Sequence, residues 1–140
     1  MINYLQKMEN SEIVKKLFEC FGSGDIPGAM NLFAEEVEFQ SPVTGSAHKY
    51  ITWSDKRTSK SEIGAFFMEM NEKVQPEKMV IKKIISEGKR VVVEGRNAGS
   101  ARSTGKRYEH DWVMLFDLEK GKIVRNLHFY DPADVERAFE

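Results

Sequence analysis

The sequence predicts one α+β domain over residues 1–140, in which a curved antiparallel sheet forms a cone that packs against three helices of the N-terminal half. The first half of the chain carries three segments with the 3–4 residue apolar spacing of amphipathic helices. The second half carries four strand-like segments separated by short turns, which favours an antiparallel meander over a parallel α/β sheet. Gly95 and Gly99 lie inside one long strand and indicate bends, which make a sheet curve.

The helical segments begin and end at residues that suit helix termini. We expect a cap at Asn10 or Ser11 and a stop at Gly22 and Gly24 for the first helix. Asp25 begins a short second helix, and the capping-box pattern Ser59-Lys60-Ser61-Glu62 opens the third. The apolar residues expected on their buried faces are Ile13, Val14, Leu17, Phe18, Phe21, Ala29, Met30, Leu32, Phe33, Ile63, Phe66, Phe67 and Met70.

Alternation of apolar and polar residues predicts five strands and a short terminal helix that begins at Asp131-Pro132. Residues 42–58 show no periodicity, although they include His48, Tyr50 and Trp53. Because so long a connection is unusual in a small domain, we interpret it as a pocket rim, the alternative being a loop packed on the surface. The predicted strands are residues 37–41, 79–86, 90–102, 108–117 and 123–131.

Composition and charge exclude several classes of protein. The chain holds 21 Lys plus Arg and 22 Asp plus Glu, and this balance argues against a nucleic-acid or acidic-membrane partner. Cys20 is the single cysteine, so we interpret it as a buried structural thiol. The first residues lack the pattern of a signal peptide, and no stretch reaches the roughly 20 apolar residues of a membrane span. We therefore expect a cytoplasmic location.

The last three strands assign a concave face, because side chains alternate across a strand. Large and mostly aromatic residues share one face of the strand at 108–117, and charged residues share the other. Small residues on the neighbouring strand would then leave room opposite the rings, which indicates a cavity. The residues assigned to the concave face are Asn97, Gly99, Ala101, Tyr108, His110, Trp112, Met114, Phe116, Val124, Asn126, His128 and Tyr130.

Two histidines on that face, His110 and His128, are the candidate acid/base groups, because imidazole exchanges protons near neutral pH. No carboxylate shares the face, so Tyr130 or Asn126 would have to orient the rings. The neighbouring Asp111 is not a partner for His110, since adjacent residues of a strand point to opposite sides. The alternative is that both rings are merely hydrogen-bonded in the core.

We expect no metal and no cofactor. Two histidines could bind zinc, but a third ligand is missing from the concave face. The sequence has no glycine loop that would hold phosphate and no recognisable nucleophile elbow. In the last strand, Phe129 and Leu127 make the outer face apolar as well. The usual cover for such a face is a second copy of the chain, so a homodimer through the outer sheet face is expected.

From Ile13 to Phe139 the chain resembles the nuclear transport factor 2-like superfamily, a cystatin-like fold, and within it the SnoaL-like and ketosteroid-isomerase-like branch. The stretches that carry this resemblance are Gly24-Asp25, Leu32-Phe33-Ala34-Glu35-Glu36-Val37, Ser41-Pro42-Val43-Thr44-Gly45 and the segment from Gly121 to Asp131. The resemblance implies a cone-shaped fold. It does not imply one activity, because the fold hosts isomerases, cyclases, dehydratases, hydrolases and non-enzymes.

The resemblance also allows a comparison of catalytic positions. The isomerases' general-base aspartate, oxyanion-hole tyrosine and protonated aspartate fall on Ser41, Leu17 and Trp112 of this chain, so the isomerase mechanism is not expected. The acid/base aspartate of the polyketide cyclases falls on His128, which also transfers protons. Some dehydratases of this fold use paired histidines, which by analogy makes His110 a partner for His128.

These observations favour an acid/base enzyme of the cyclase, isomerase or dehydratase type that acts on an apolar oxygenated small molecule without a cofactor. His128 would be the base, His110 the second proton carrier, and Tyr130 a group that orients them. The alternative is a non-catalytic dimeric binding or adaptor protein of the same fold. The residues expected to bind the substrate are Asn126, Trp112, Met114, Phe39, Ser41, Trp53 and Asn97.

Overall fold

The computed structural model describes residues 8–41 and 49–140, and within these ranges four helices and six strands confirm the predicted α+β class. The helices are α1 (Asn10–Ser23), α2 (Ile26–Met30), α3 (Lys60–Lys73) and α4 (Pro132–Phe139). The strands are β1 (Phe33–Gln40), β2 (Arg57–Ser59), β3 (Val74–Glu87), β4 (Arg90–Ala101), β5 (Arg107–Glu119) and β6 (Lys122–Phe129).

Most of the predicted helix termini are confirmed. Gly24 ends α1 with a φ of 73°, and the Ser59 hydroxyl accepts a hydrogen bond from the Glu62 N–H at the start of α3. The prediction that Asn10 or Ser11 caps α1 is wrong. Glu9 occupies the cap position without a side-chain hydrogen bond, and Asn10 is the first residue of the helix, where its amide donates to the carbonyl of Gly88.

The predicted second helix extends too far. Helix α2 ends at Met30, and the next residues turn into β1, which begins at Phe33. The carbonyl of Leu32 accepts a hydrogen bond from the Ile123 N–H, and Phe33 pairs with Ile123 in β6. A backbone bond to a strand distant in sequence therefore overrides the local apolar spacing.

The six strands form one sheet in the order β2–β1–β6–β5–β4–β3. The predicted meander from β3 to β6 is antiparallel, whereas β1 pairs with β6 in parallel. Two strands begin well before their predicted starts: β1 at Phe33 rather than at residue 37, and β3 at Val74 rather than at residue 79. Strand β3 passes through Pro76, which an edge strand tolerates. Strand β2 was not predicted, because it is too short to show periodicity.

The predicted pairing of small residues with large rings is confirmed, but the rings fill the room that it creates. Gly95 pairs with Trp112, and a Cβ on Gly95 would lie 2.2 Å from Cζ2 of that indole. A Cβ on Gly99 would lie 2.5 Å from the hydroxyl of Tyr108. These glycines therefore let two aromatic rings pack directly on the sheet backbone.

The assigned faces of β5 are confirmed by burial. Trp112 and Phe116 are buried against the helices, whereas Val113 between them is 39% exposed. Helix α1 buries its apolar face on the same core, including the single cysteine, Cys20. No helix among the described residues is long and apolar enough to cross a membrane.

An apolar strip crosses the outer face of the sheet. Its central row joins one residue from each of four adjacent strands in register, and two neighbouring residues widen it. Ion pairs flank the strip on both sides, Arg90 with Asp117 on one and Arg96 with Asp111 on the other. The residues of this outer strip are Ile85, Val92, Leu115, Leu127, Val113 and Phe129.

Candidate functional site

A cavity of about 60 Å³ lies at the wide end of the cone. The concave faces of β4, β5 and β6 form one side, and α4 and the junction of α3 with β3 form others. Residue Trp53, from the segment before β2, closes a further side. The lining residues are Ser41, Trp53, Met70, Val74, Asn97, Tyr108, His110, His128, Tyr130 and Val135.

His110 has a carboxylate partner, contrary to the sequence-based expectation. Its Nδ1 lies 3.0 Å from Oδ2 of Asp134, in the first turn of α4. The two side chains are only 9% and 24% exposed, so water competes weakly for this bond. The expectation that Tyr130 or Asn126 would have to take the place of a carboxylate is wrong for the hydrogen bond to His110, because the carboxylate partner comes from a helix rather than from the same strand face.

One sequence signal could have indicated Asp134. Asp131 accepts a hydrogen bond from the Ala133 N–H and so fixes the start of α4, as the Asp131-Pro132 pair predicts. Asp134 then falls in the first turn of a helix that follows the last concave strand directly. The sequence does not show the direction in which α4 packs, and that direction decides whether Asp134 reaches His110.

The His110 ring lies between two tyrosine rings. It stacks on Tyr108 with centroids 5.6 Å apart and on Tyr130 with centroids 4.9 Å apart, both nearly parallel. Tyr130 also contacts His128 at 4.8 Å, and His128 meets Trp112 edge to face at 6.0 Å. With the ring held on both faces and at Nδ1, the imidazole of His110 has one well-defined orientation.

His128 is in a different environment. Its Nε2 is buried and has no hydrogen-bond partner within residues 8–41 and 49–140. Burial, together with repulsion from nearby His110, lowers the pKa of His128 to about 3. The ring is therefore neutral at physiological pH and a weak base, which fits poorly with the predicted role of general base.

The two tyrosines of the site remain protonated. Burial raises the pKa of Tyr108 to about 12, with smaller effects from the charges of Glu77 and Asp134. Burial also raises the pKa of Tyr130. Both phenols are thus neutral groups that can donate a hydrogen bond.

The prediction that Asp111 does not pair with His110 is confirmed. Asp111 lies on the outer face, where its carboxylate accepts hydrogen bonds from Lys82 at 2.8 Å and Arg96 at 3.0 Å. Hydrogen bonds from these cations lower the pKa of Asp111. The carboxylate next to His110 in sequence and the carboxylate that contacts it in space are therefore different residues.

The cavity brings together six of the ten predicted site residues, and the other four lie outside its lining. Trp112 donates from Nε1 to Oδ1 of Asn97 at 2.8 Å, behind the cavity wall. Phe39 packs on Phe66 with centroids 4.8 Å apart, in the core. The expected apolar walls Phe39, Trp112 and Met114 instead fill the cone, because large rings pack where small residues leave room. The six lining residues are Ser41, Trp53, Asn97, His110, His128 and Tyr130.

Asn126 is the fourth predicted residue outside the lining. It is buried on the concave face of β6, and its Nδ2 has no hydrogen-bond partner within the described ranges. The lining residues not predicted as site residues are Met70, Val74, Tyr108 and Val135. Val74 and Val135 lie at or near element junctions, where strand alternation gives no signal.

The predicted rim is described in part. Residues 42–48, which include His48, lie outside the described residues. Trp53 is 3% exposed, and its carbonyl accepts a hydrogen bond from Arg57. Lys73 donates to Thr52, which in turn donates to Glu69, so α3 holds this stretch in place. The described part is a fixed wall of the cavity.

Side chains that could hold a metal do not converge in the part of the chain that the structure describes. There, no group of three His, Cys, Asp or Glu residues has the required proximity. The chemistry that the site offers is that of one histidine–carboxylate pair, one neutral histidine and two protonated phenols.

Comparisons with solved structures show the fold. An NTF2-like protein from Burkholderia thailandensis is 22% identical, with 93% of this chain and 96% of that chain covered at a TM-score of 0.82. A proposed polyketide cyclase from Pseudomonas putida is 21% identical, with 94% and 98% covered at 0.74. A protein with a ketosteroid isomerase-like fold from Catenulispora acidiphila, in complex with trimethylamine, is 15% identical, with 91% of each chain covered at 0.75.

No curated protein matches the sequence significantly. A family model described as a SnoaL-like domain matches residues 14–126. This match spans well over half of the chain and ends before His128 and α4. The chain belongs to the SnoaL-like domain family.

Proposed function

We propose that this protein is a cofactor-independent acid/base enzyme of the cyclase, isomerase or dehydratase type. Its substrate would be an apolar oxygenated small molecule that binds between the aromatic walls of the cavity. The observation that carries the proposal is the hydrogen bond between His110 and Asp134 on the cavity wall. A buried carboxylate beside an imidazole fixes the tautomer and stabilises the protonated ring.

In this proposal His110, not His128, is the general base. Asp134 accepts a hydrogen bond from the Nδ1–H group of His110, which leaves a free lone pair on Nε2 of the same ring. That atom removes a proton from a carbon next to the substrate carbonyl. The imidazolium then returns the proton to another carbon in an isomerisation or to a leaving hydroxyl group in a dehydration. In a cyclisation the carbanion attacks a second carbonyl carbon of the substrate, and the imidazolium returns the proton to the alkoxide that this attack forms.

Neutral donors would stabilise the oxyanion that forms when the proton leaves. The low pKa of His128 supports a neutral imidazole that donates or accepts a hydrogen bond without gaining charge. The protonated hydroxyl groups of Tyr108 and Tyr130 are further candidate donors. Donors that are already in place when the charge develops contribute more to catalysis than donors that must reorient.

The alternative is a non-catalytic binding or adaptor protein. The small cavity favours it, because Trp112 and Phe39 fill space that a substrate could occupy. The binding protein is also favoured because the catalytic aspartates and tyrosine of the isomerases are replaced in this chain by Ser41, Trp112 and Leu17. The name of the Pseudomonas putida neighbour favours the enzyme, although the likeness itself shows the fold alone.

Hydrogen exchange into substrate analogues separates the two functions. The protein is incubated in D₂O with a panel of neutral cyclic ketones and 1,3-dicarbonyl compounds, and deuteration next to the carbonyl is followed by NMR. We expect catalysed exchange with at least one compound and its loss in His110→Asn. A panel member that binds, yet exchanges at the same rate with wild type, with His110→Asn and without protein, would favour the binding protein.

We also propose a homodimer through the outer strip. A second copy related by two-fold symmetry would place the same apolar residues opposite each other, with ion-paired charges of both signs around them. Phe129 and Ile85, 50% and 54% exposed, would be covered. The sheet would then be covered on both faces, by the helices on the concave face and by the second copy over Leu115 and Leu127.

Phe129→Glu should weaken this dimer by at least about 100-fold, because symmetry brings two new charges into one apolar interface. Sedimentation equilibrium measures the change. Met68→Glu is the matched control, since Met68 is exposed on α3, away from the sheet. A monomeric wild type, or a Phe129→Glu protein that dimerises normally, would refute the proposal.

A further inference from the structure

The cavity is too small for the ring compounds that the site is expected to bind. At about 60 Å³ it holds only a few water molecules, since one water needs roughly 10–15 Å³ by the same measure. A six-membered ring with substituents needs several times that space. One wall must therefore move when such a ligand enters.

Backbone hydrogen bonds hold most of the walls. Strands β4, β5 and β6 belong to one continuous sheet, and the register between β4 and β5 is regular along its length. Trp53 is held by a hydrogen bond from the Arg57 guanidinium to its carbonyl, and the neighbouring Thr52 is held by Lys73 and Glu69 of α3. Moving the strands would break several backbone bonds together, and moving the Trp53 segment would break this network of polar side-chain bonds.

Helix α4 is attached differently. Within the described residues, no backbone–backbone hydrogen bond joins α4 to another helix or strand. Its contacts involve side chains: Phe139 stacks on Tyr50 at 5.8 Å and lies 6.0 Å from Trp53, and the Thr104 hydroxyl donates to the carbonyl of Ala138. Segments held in this way open at a lower free energy than sheet strands do.

The same helix carries two parts of the site. Val135 lines the cavity and Asp134 holds His110, so displacement of α4 would widen the cavity and remove the carboxylate together. The family match ends at residue 126, so α4 lies outside the matched segment.

We infer that α4 is the gate of the cavity, and that its closing over a bound ligand completes the His110–Asp134 pair. The role of α4 as a gate is inferred from the packing alone. The completion of the His110–Asp134 pair on closing rests on the proposed function. In the open state the cavity admits a ring compound but the base lacks its partner. Proton transfer is thereby confined to the closed state, in which water is excluded.

Thiol labelling tests the gate without a substrate. Val74 is 3% exposed and lines the cavity, so Val74→Cys in a Cys20→Ser background reports its opening. The probe is 4,4′-dithiodipyridine, a neutral aromatic reagent. Phe139→Ala removes both ring contacts of α4 and should accelerate labelling about tenfold, since aromatic packing of this kind contributes roughly 1 kcal/mol or more. Tyr50→Ala removes the opposite ring and serves if Phe139→Ala does not fold.

Native Cys20 is the control, because it is buried in α1 and is labelled only when the core opens. Without Phe139→Ala, Cys20 should be labelled far more slowly than Val74→Cys, because it needs the whole core to open. Unchanged labelling of Val74→Cys in the Phe139→Ala protein would overturn the gate, and so would equal labelling rates of Val74→Cys and Cys20, which would mean that both thiols react through global unfolding. Because labelling requires no turnover, the gate and the proposed chemistry can fail independently.

Discussion

Replacing Asp134 by asparagine is expected to lower the rate of catalysed proton transfer by about 10²–10⁴-fold. An amide can donate as well as accept a hydrogen bond, so it no longer forces the His110 proton onto Nδ1 and cannot stabilise the imidazolium. Solvent-deuterium exchange on the best compound of the ketone panel measures the loss. The His110 ring should remain in place, because Tyr108 and Tyr130 still hold its two faces.

Asp111→Asn is the matched control for this prediction. Asp111 is next to His110 in sequence but bonds Lys82 and Arg96 on the outer face, so its replacement should leave the exchange rate unchanged. Nitrogen-15 NMR of the His110 ring adds a readout independent of turnover: the Nδ1-protonated tautomer should dominate in wild type and lose that dominance in Asp134→Asn. A wild-type tautomer with the proton on Nε2 would contradict the assignment.

The second large effect concerns stability at acidic pH. The pKa of His128 is about 3 in the folded protein and near 6.5 in the unfolded chain, so between these values only the unfolded state binds the proton. Stability is therefore lost as pH falls below 6.5. Between pH 7 and pH 4.5 this single group should cost about 2 kcal/mol of the free energy of unfolding.

His128→Gln should remove this loss, because glutamine does not titrate. Urea unfolding of both proteins across the range gives the comparison, and the relevant quantity is the difference in slope, not the stability at pH 7. Acidic groups such as Asp117, whose pKa is lowered by its hydrogen bond to Arg90, contribute equally to both proteins and cancel. Parallel curves for wild type and His128→Gln would mean that folding does not change the pKa of His128, and would contradict the prediction.

The two predictions also separate the roles of the histidines. If His128 were the base, as its alignment with the cyclase aspartate suggests, Asp134→Asn would have little effect and His128→Gln would abolish exchange. If His110 is the base, Asp134→Asn carries the larger loss. The distinction rests on the hydrogen-bond partners: both rings lie on the concave face of the sheet, but within residues 8–41 and 49–140 only His110 has a carboxylate partner.

The features that depend on local geometry follow from the residue pattern alone. Alternation along β5 separates Trp112 and Phe116 from Val113 because successive side chains of a strand point to opposite sides. Ser59 begins α3 through its hydroxyl group, and Gly24 ends α1 through its left-handed backbone. These effects act over a few residues, so the α+β class, the meander and the concave face could be predicted.

Contacts between groups on different elements depend on how the helices and strands pack in three dimensions. Asp134 follows His110 by 24 residues in the sequence and contacts it because α4 folds back over the end of the cone. Phe39 and Trp112 fill the core instead of lining the cavity, and β1 joins β6 in parallel. Residue patterns record which face of an element is buried. They do not record the direction in which a helix packs or the volume that rings leave free. The partner of His110 and the size of the cavity depend on these two features.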